Sequence, residues 1–188
     1  MKKILSLLFI IIGTCLCCFA ADYPRWKAQP IYVYIPDDAG QITSLMKQAF
    51  DTWQNNSRGT VRFRYVKKPA DSNIEVEFPD FASNSCNNVN AVGCTETIYT
   101  EGGRYLSKAY VTIGMKEYQY KYVSHSRVRT LVNRPTENLY GVMLHEIGHA
   151  LGFLEHVSDV TSIMYPADLK TQQYLTRDDL DKLYKKYH

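Results

Sequence analysis

His145-Glu-Ile-Gly-His-Ala-Leu-Gly-Phe-Leu-Glu-His156 is the stretch on which the reading of this 188-residue chain turns. Residues four apart on a helix are slightly more than one turn apart, so His145 and His149 project from one face and can grip a single metal ion. Glu146, beside the first histidine, can reach a water on that metal. Gly152 falls where the helix must end and the chain turn back, because glycine takes a positive φ without steric cost. Two candidates for a third ligand follow side by side, Glu155 and His156.

Working outward, Leu139, Val142 and Met143 continue the helical pattern upstream of the motif, and Thr136 or Asn138 can cap that helix. Pro30 to Ile35 alternates like a strand. Ile42, Leu45, Met46, Ala49, Phe50 and Trp53 recur at helical spacing and predict an amphipathic helix over roughly 42–55, a pattern that serves a core. Val61, Phe63 and Tyr65 alternate, as do Ile74, Val76 and Phe78, and Lys108 to Met115 predicts a fourth strand. The Asn-, Ser- and Gly-rich stretch 83–104 reads as a long surface loop. The stretch after 115 is poorly patterned, and its isolated His125 reads as a surface or loop residue. A last helix starts near Thr176, capped with the help of Asp179, and is expected to bury Leu180, Leu183 and Tyr184.

The fifteen tyrosines suit half-buried sheet faces. Residues 1–20 have the layout of a secretory signal: Lys2 and Lys3, an apolar run from Ile4 to Ile12 too short for a bilayer span, and small residues ending at Ala20-Ala21. Its removal lowers the net charge from +3 to +1, which gives no reason to expect nucleic acid or an anionic membrane as partner. Residues 21–188 are then expected to form one domain, secreted or periplasmic/extracellular and monomeric. A lipid-anchored form through Cys15, Cys17 or Cys18 is the lesser alternative. Cys86 and Cys94 have the number and spacing for one disulfide in an oxidising compartment.

Ser162-Ile163-Met164-Tyr165-Pro166, together with the helix, resembles the metzincin metalloproteases and, within them, the matrixin family. Ala49-Phe50-x-x-Trp53, the Phe63 strand and Leu175-Thr-Arg-Asp-Asp-Leu180 look like matrixin segments too, so the resemblance covers nearly the whole chain after residue 20. It implies an α+β fold, a mixed α/β sandwich whose twisted, mostly parallel sheet has an antiparallel edge strand, with two long helices and a C-terminal helix. It implies one catalytic Zn2+ held by three side chains, and a zinc-bound water whose proton Glu146 takes and later delivers to the departing amine. It also implies an apolar floor made by Met164. An extended protein or peptide substrate is expected beside an edge strand containing Ala109, Tyr110 and Val111. The Asp178–Asp179 pair is expected to act structurally.

The resemblance is imperfect at the third ligand. The family's pattern puts a histidine where this chain has Glu155. In matrixins the turn methionine follows the third histidine by eight residues, and Met164 follows His156 by eight. Imidazole also leaves the metal its full charge, whereas a carboxylate cancels part of it. Both points favour His156, with Glu155 as the alternative. Ca2+ is conceivable at the acidic residues Asp37, Asp38, Asp71, Glu96 and Glu101, but no clear motif supports it. The Ala-Asp-Leu run after Pro166 departs from the family where a tyrosine often lines the specificity pocket. A secreted zinc-containing peptide-binding protein with weak or lost catalysis is the second reading of the whole.

Overall fold

The computed structural model describes residues 24–84, 86, 91–100, 102–166 and 174–188. The expectations for residues 1–20, for Glu101 and for the run after Pro166 lie outside them. Strand β1 (Arg25–Trp26) and strand β2 (Ile31–Tyr34) precede helix α1 (Gln41–Asn56). Strands β3 (Phe63–Val66), β4 (Ile74–Glu77), β5 (Gly93–Tyr99) and β6 (Tyr105–Ile113) follow. A hairpin of β7 (Lys116–Val123) and β8 (Ser126–Asn133) leads into α2 (Thr136–Ala150), and α3 (Arg177–Tyr187) closes the chain.

The main sheet runs β3-β2-β4-β6-β5, with the short β1 also paired to β6. Every pairing in it is parallel except β5 with β6. The alternation read in the sequence is the cause: Ile31 and Val33 on β2, Ile74 and Val76 on β4, and Ala109, Val111 and Ile113 on β6 all point into one core. Leu106 joins them out of step because the ladder slips beside it, Tyr99 facing Leu106 and Ile98 facing Lys108. That slip is a β-bulge, which lets both Leu106 and Ala109 face inward.

Met46, Ala49, Phe50 and Trp53 of α1, and Leu139, Met143, Leu144, Ile147 and Ala150 of α2, complete the same core. On the residues that do not face it, Tyr32, Tyr65 and Tyr110 stay more than a third exposed. Two buried indoles fix α2 in place, one from α1 and one from β1. Trp53 Nε1 donates to the main-chain oxygen of Leu144, and Trp26 Nε1 to that of Ala150, each at 2.9 Å. A buried indole N–H left unpaired would be costly, so each bond also sets where α2 sits.

Several expectations need correction. The strand carrying Ala109, Tyr110 and Val111 is not an edge: Ala109 faces Ile74 on one side and Thr97 on the other. The edge is β5, which arises inside the stretch read as a loop. The poorly patterned stretch after 115 is the β7–β8 hairpin, which forms a two-stranded sheet of its own and so has little inward-facing apolar pattern. Neither Thr136 nor Asn138 caps α2; Pro135 is the N-cap residue and makes no side-chain bond. On α3 Leu183 is buried, but Tyr184 is 53% exposed and Asp179 takes the inward position instead. The capping box of Thr176 and Asp179 is present. Cys86 and Cys94 form a disulfide.

Candidate metal centre

The end of α2 builds the site. Gly152 has φ of 100°, and its N–H donates to the main-chain oxygen of His149 while that of Phe153 donates to Gly148. These two bonds make a Schellman motif, which needs a left-handed residue just past the helix. A side chain at 152 would also meet the main-chain oxygen of Pro24, so the position excludes a Cβ twice over. The chain then turns back and brings His156 over the helix it has just left.

His145 Nε2 lies 3.0 Å from that of His149 and 3.1 Å from that of His156, with 3.3 Å between the latter two. Nδ1 of His145 is 2.6 Å from the main-chain oxygen of Ile163, and Nδ1 of His149 is 2.5 Å from that of Phe153. A carbonyl can only accept, which assigns the hydrogen to Nδ1 in both rings and leaves two bare Nε2 lone pairs facing each other. Such a donor set calls for a cation. Nitrogens about 2.05 Å from a tetrahedral zinc ion stand roughly 3.3 Å apart, close to the spacing found, so the residues fit zinc. Glu155 is exposed and outside this cluster.

Electrostatics agree. Burial, and next the charge of His149, push His145 down to about 4, and burial lowers His149 as well. Both rings are therefore neutral at neutral pH, the form that can hold a metal ion. Burial drives Glu146 the other way, up to about 7, and a hydrogen bond from Thr95 pulls against that rise. Thr95 Oγ1 stands 2.8 Å from Glu146 Oε2 and 2.9 Å from the main-chain oxygen of Glu146. Oε1 has no hydrogen-bond partner among the described residues and is free to receive a proton.

Thr95 lies within the Asn-, Ser- and Gly-rich stretch whose composition reads as loop, which hides β5. Its signal was the β-branched and aromatic run Thr95-Glu-Thr-Ile-Tyr99.

The methionine turn is locked to the triad from below. The Ile163 oxygen that orients His145 belongs to it, and Met164, 2% exposed, fills the space that a side chain at Gly148 would need. Buried Asp179 holds the turn to α3, accepting from Ser162 Oγ, from the Ile163 N–H, and from both the N–H and hydroxyl of Thr176. The Leu175–Leu180 segment thus supports the site from a distance. Asp178 is exposed and pairs with Lys182 at 2.7 Å. Asp37, Asp38, Asp71 and Glu96 join no cluster of three ligand-type side chains among the described residues.

A helix offering two histidines and a glutamate, a third histidine returned by a glycine turn, and a methionine turn bonded to the first ligand are the parts of a metalloprotease centre. The chain belongs to the matrixin family, whose sequence profile matches residues 30–188. Over 44 residues it is 48% identical to the interstitial collagenase of Aquarana catesbeiana, a stretch covering 23% of this chain and 11% of that protein. No helix among the described residues is long and apolar enough to cross a membrane.

Proposed function

We propose that this protein is a zinc-dependent endopeptidase that hydrolyses protein or peptide substrates, with Glu146 as general base and His145, His149 and His156 as the metal ligands. The observation that carries this is the convergence of three Nε2 atoms, two of them bare, one residue from a buried carboxylate. Membership of the matrixin family supports it. Zinc bound there would supply Lewis acidity toward the scissile carbonyl and toward water. Glu146 takes the proton of the attacking water on Oε1 and returns it to the leaving amine nitrogen, while Thr95 holds Oε2 still. Such a base, buried and clamped, has no task in a protein that only holds a peptide.

The substrate lies extended along β5, whose outer side carries no strand among the described residues and whose Thr95 touches Glu146. Residues 21–188 act as one catalytic domain after removal of a signal over 1–20, and the Cys86–Cys94 disulfide supports an oxidising, extracytoplasmic compartment. The test is hydrolysis of an unfolded protein with and without a chelator, beside Glu146→Ala and His156→Ala. Cleavage is expected only from the metal-loaded wild type. Equal cleavage by Glu146→Ala, or by chelated protein, sinks the reading; full zinc retention by His156→Ala with loss in Glu155→Ala overturns the ligand assignment.

A further inference from the structure

The β7–β8 hairpin takes no part in the centre, yet it is built with care. Its base is fixed: Lys116 pairs with Asp80 at 2.7 Å, Arg134 with Glu117 at 2.9 Å, and Tyr118 stacks on Phe81. Its tip is a two-residue turn with left-handed Ser124 and His125, the geometry that matches the twist of a hairpin. Eight residues per strand carry it roughly 25 Å outward.

The cross-strand register places Tyr118 opposite Leu131, Tyr120 opposite Arg129 and Tyr122 opposite Arg127, so all six share one face. Arg127 lies over the Tyr120 ring at 3.8 Å and Arg129 over that of Tyr118 at 3.2 Å, forming an interleaved ladder of rings and guanidinium groups. The three tyrosines are 43%, 49% and 78% exposed. Within residues 116–134 five Lys and Arg stand against one acidic residue, a local charge of +4 in a chain whose net charge is +3. The hairpin is therefore a basic stretch, as residues 58–68 also are, but here the guanidinium groups are stacked on rings along one face. Among the described residues Lys121, Arg127 and Arg129 have no carboxylate partner. A guanidinium stacked on a ring is already oriented, with its N–H edge open to a carboxylate.

Both outer edges of this ribbon are unpaired among the described residues. An extended polypeptide can use such an edge through its main chain, which a nucleic acid or a polysaccharide cannot. Its alternate side chains would then repeat at the hairpin's own spacing of roughly 6.8 Å, bringing every second one beside Arg127 and Arg129. The hairpin runs straight into α2, whose start lies ten residues, about 15 Å, before Glu146. We propose that the Tyr118–Arg129 face and the free edge beside it form an exosite that docks an acidic, extended segment of the polypeptide substrate as an added strand. This rests on the peptidase reading above and names the kind of substrate it prefers.

The test measures binding apart from turnover. A fluorescently labelled peptide alternating Glu and Thr is titrated into the full chain carrying Glu146→Ala, which cannot consume it. Binding is expected to weaken with salt and to fall about tenfold or more in Arg127→Glu/Arg129→Glu, with Arg127→Lys/Arg129→Lys in between. Of two peptides N-methylated at alternate amides in opposite phase, one should lose binding. In chains with Glu146 intact, the Arg→Glu pair should keep its thermal midpoint and its turnover of a short neutral peptide, and lose turnover of a protein bearing an acidic tract, through KM. Equal binding by the Arg→Glu pair, or tighter Arg-dependent binding of single-stranded DNA or a sulfated polysaccharide than of the peptide, overturns the proposal. So does equal binding of both N-methylated peptides. Docking without hydrolysis of any substrate would instead defeat the peptidase reading and leave the exosite standing.

Discussion

Thr95→Val isolates one hydroxyl that touches the buried carboxylate from the neighbouring strand β5. Valine keeps the branched shape at the β5 edge, so the packing against α2 is retained and only the bond of 2.8 Å to Glu146 Oε2 is removed, with its alternative to the Glu146 main chain. A hydrogen bond to a charged, buried group contributes about 1.5–3 kcal/mol. If that interaction positions the base in the transition state, kcat falls about ten- to a hundredfold at 1.36 kcal/mol per decade, with KM little changed. The pH profile adds a second reading. The Thr95 bond lowers the pKa of a carboxyl that burial raises, so its loss raises that pKa further. A general base acts in its ionised form, and the acidic limb of kcat must therefore move to higher pH. A metal ion held by the triad would act on Glu146 equally in both proteins. Thr95→Ser should restore both kcat and the limb. A Thr95→Val enzyme with kcat within about twofold of wild type and an unmoved acidic limb would refute the assignment.

Other outcomes follow from the same geometry. Gly152→Ala forces a left-handed alanine against the Pro24 oxygen, with backbone on both sides, and should cost about 2 kcal/mol or more in urea unfolding. It should also weaken zinc binding, because His156 is carried by that turn; unchanged metal affinity would contradict the role given to it. Asp179→Ala strands four buried or half-buried donors and should lose about 3 kcal/mol in thermal or urea unfolding, with metal affinity falling too; a loss under about 1 kcal/mol would deny the anchor. In metal-free protein Glu146 titrates at about 7 against 4.5 unfolded. A raised value means stability present below pH 4.5 and lost as pH rises through 7, about 3 kcal/mol at most. Chelated Glu146→Gln should therefore gain on wild type steadily from pH 4.5 to 8, while the opposite effect of His145 cancels between them. A pH-independent difference would show that burial does not raise Glu146.

How much was legible depended on whether the signal was local. The core strands β2, β4 and β6, helix α1 and the capping box at Thr176 were read correctly, since alternation, helical spacing and caps are properties of neighbouring residues. Strand β5 was missed because an edge strand needs less apolar alternation, and its neighbours are Asn- and Gly-rich. The β7–β8 hairpin was missed because both its faces are largely exposed. Tyr184 was placed inside because its spacing fits, yet the core wall at that point is met by Asp179 and Leu183.

His145, Glu146 and His149 were determined by sequence alone, because one helical turn places them whatever surrounds the helix. The choice between Glu155 and His156 was not, for neighbours in a loop can point anywhere until the chain's path is known. Only the tertiary structure brings His156 beside His145 and His149 and leaves Glu155 outside the cluster, through the Gly152 turn and the return of the chain at Val157, whose N–H bonds Met164. The same holds for Thr95, fifty-one residues from Glu146 in the chain and touching it in the fold. Contacts across a sheet edge depend on register, and register is set by pairings that no single stretch of sequence contains.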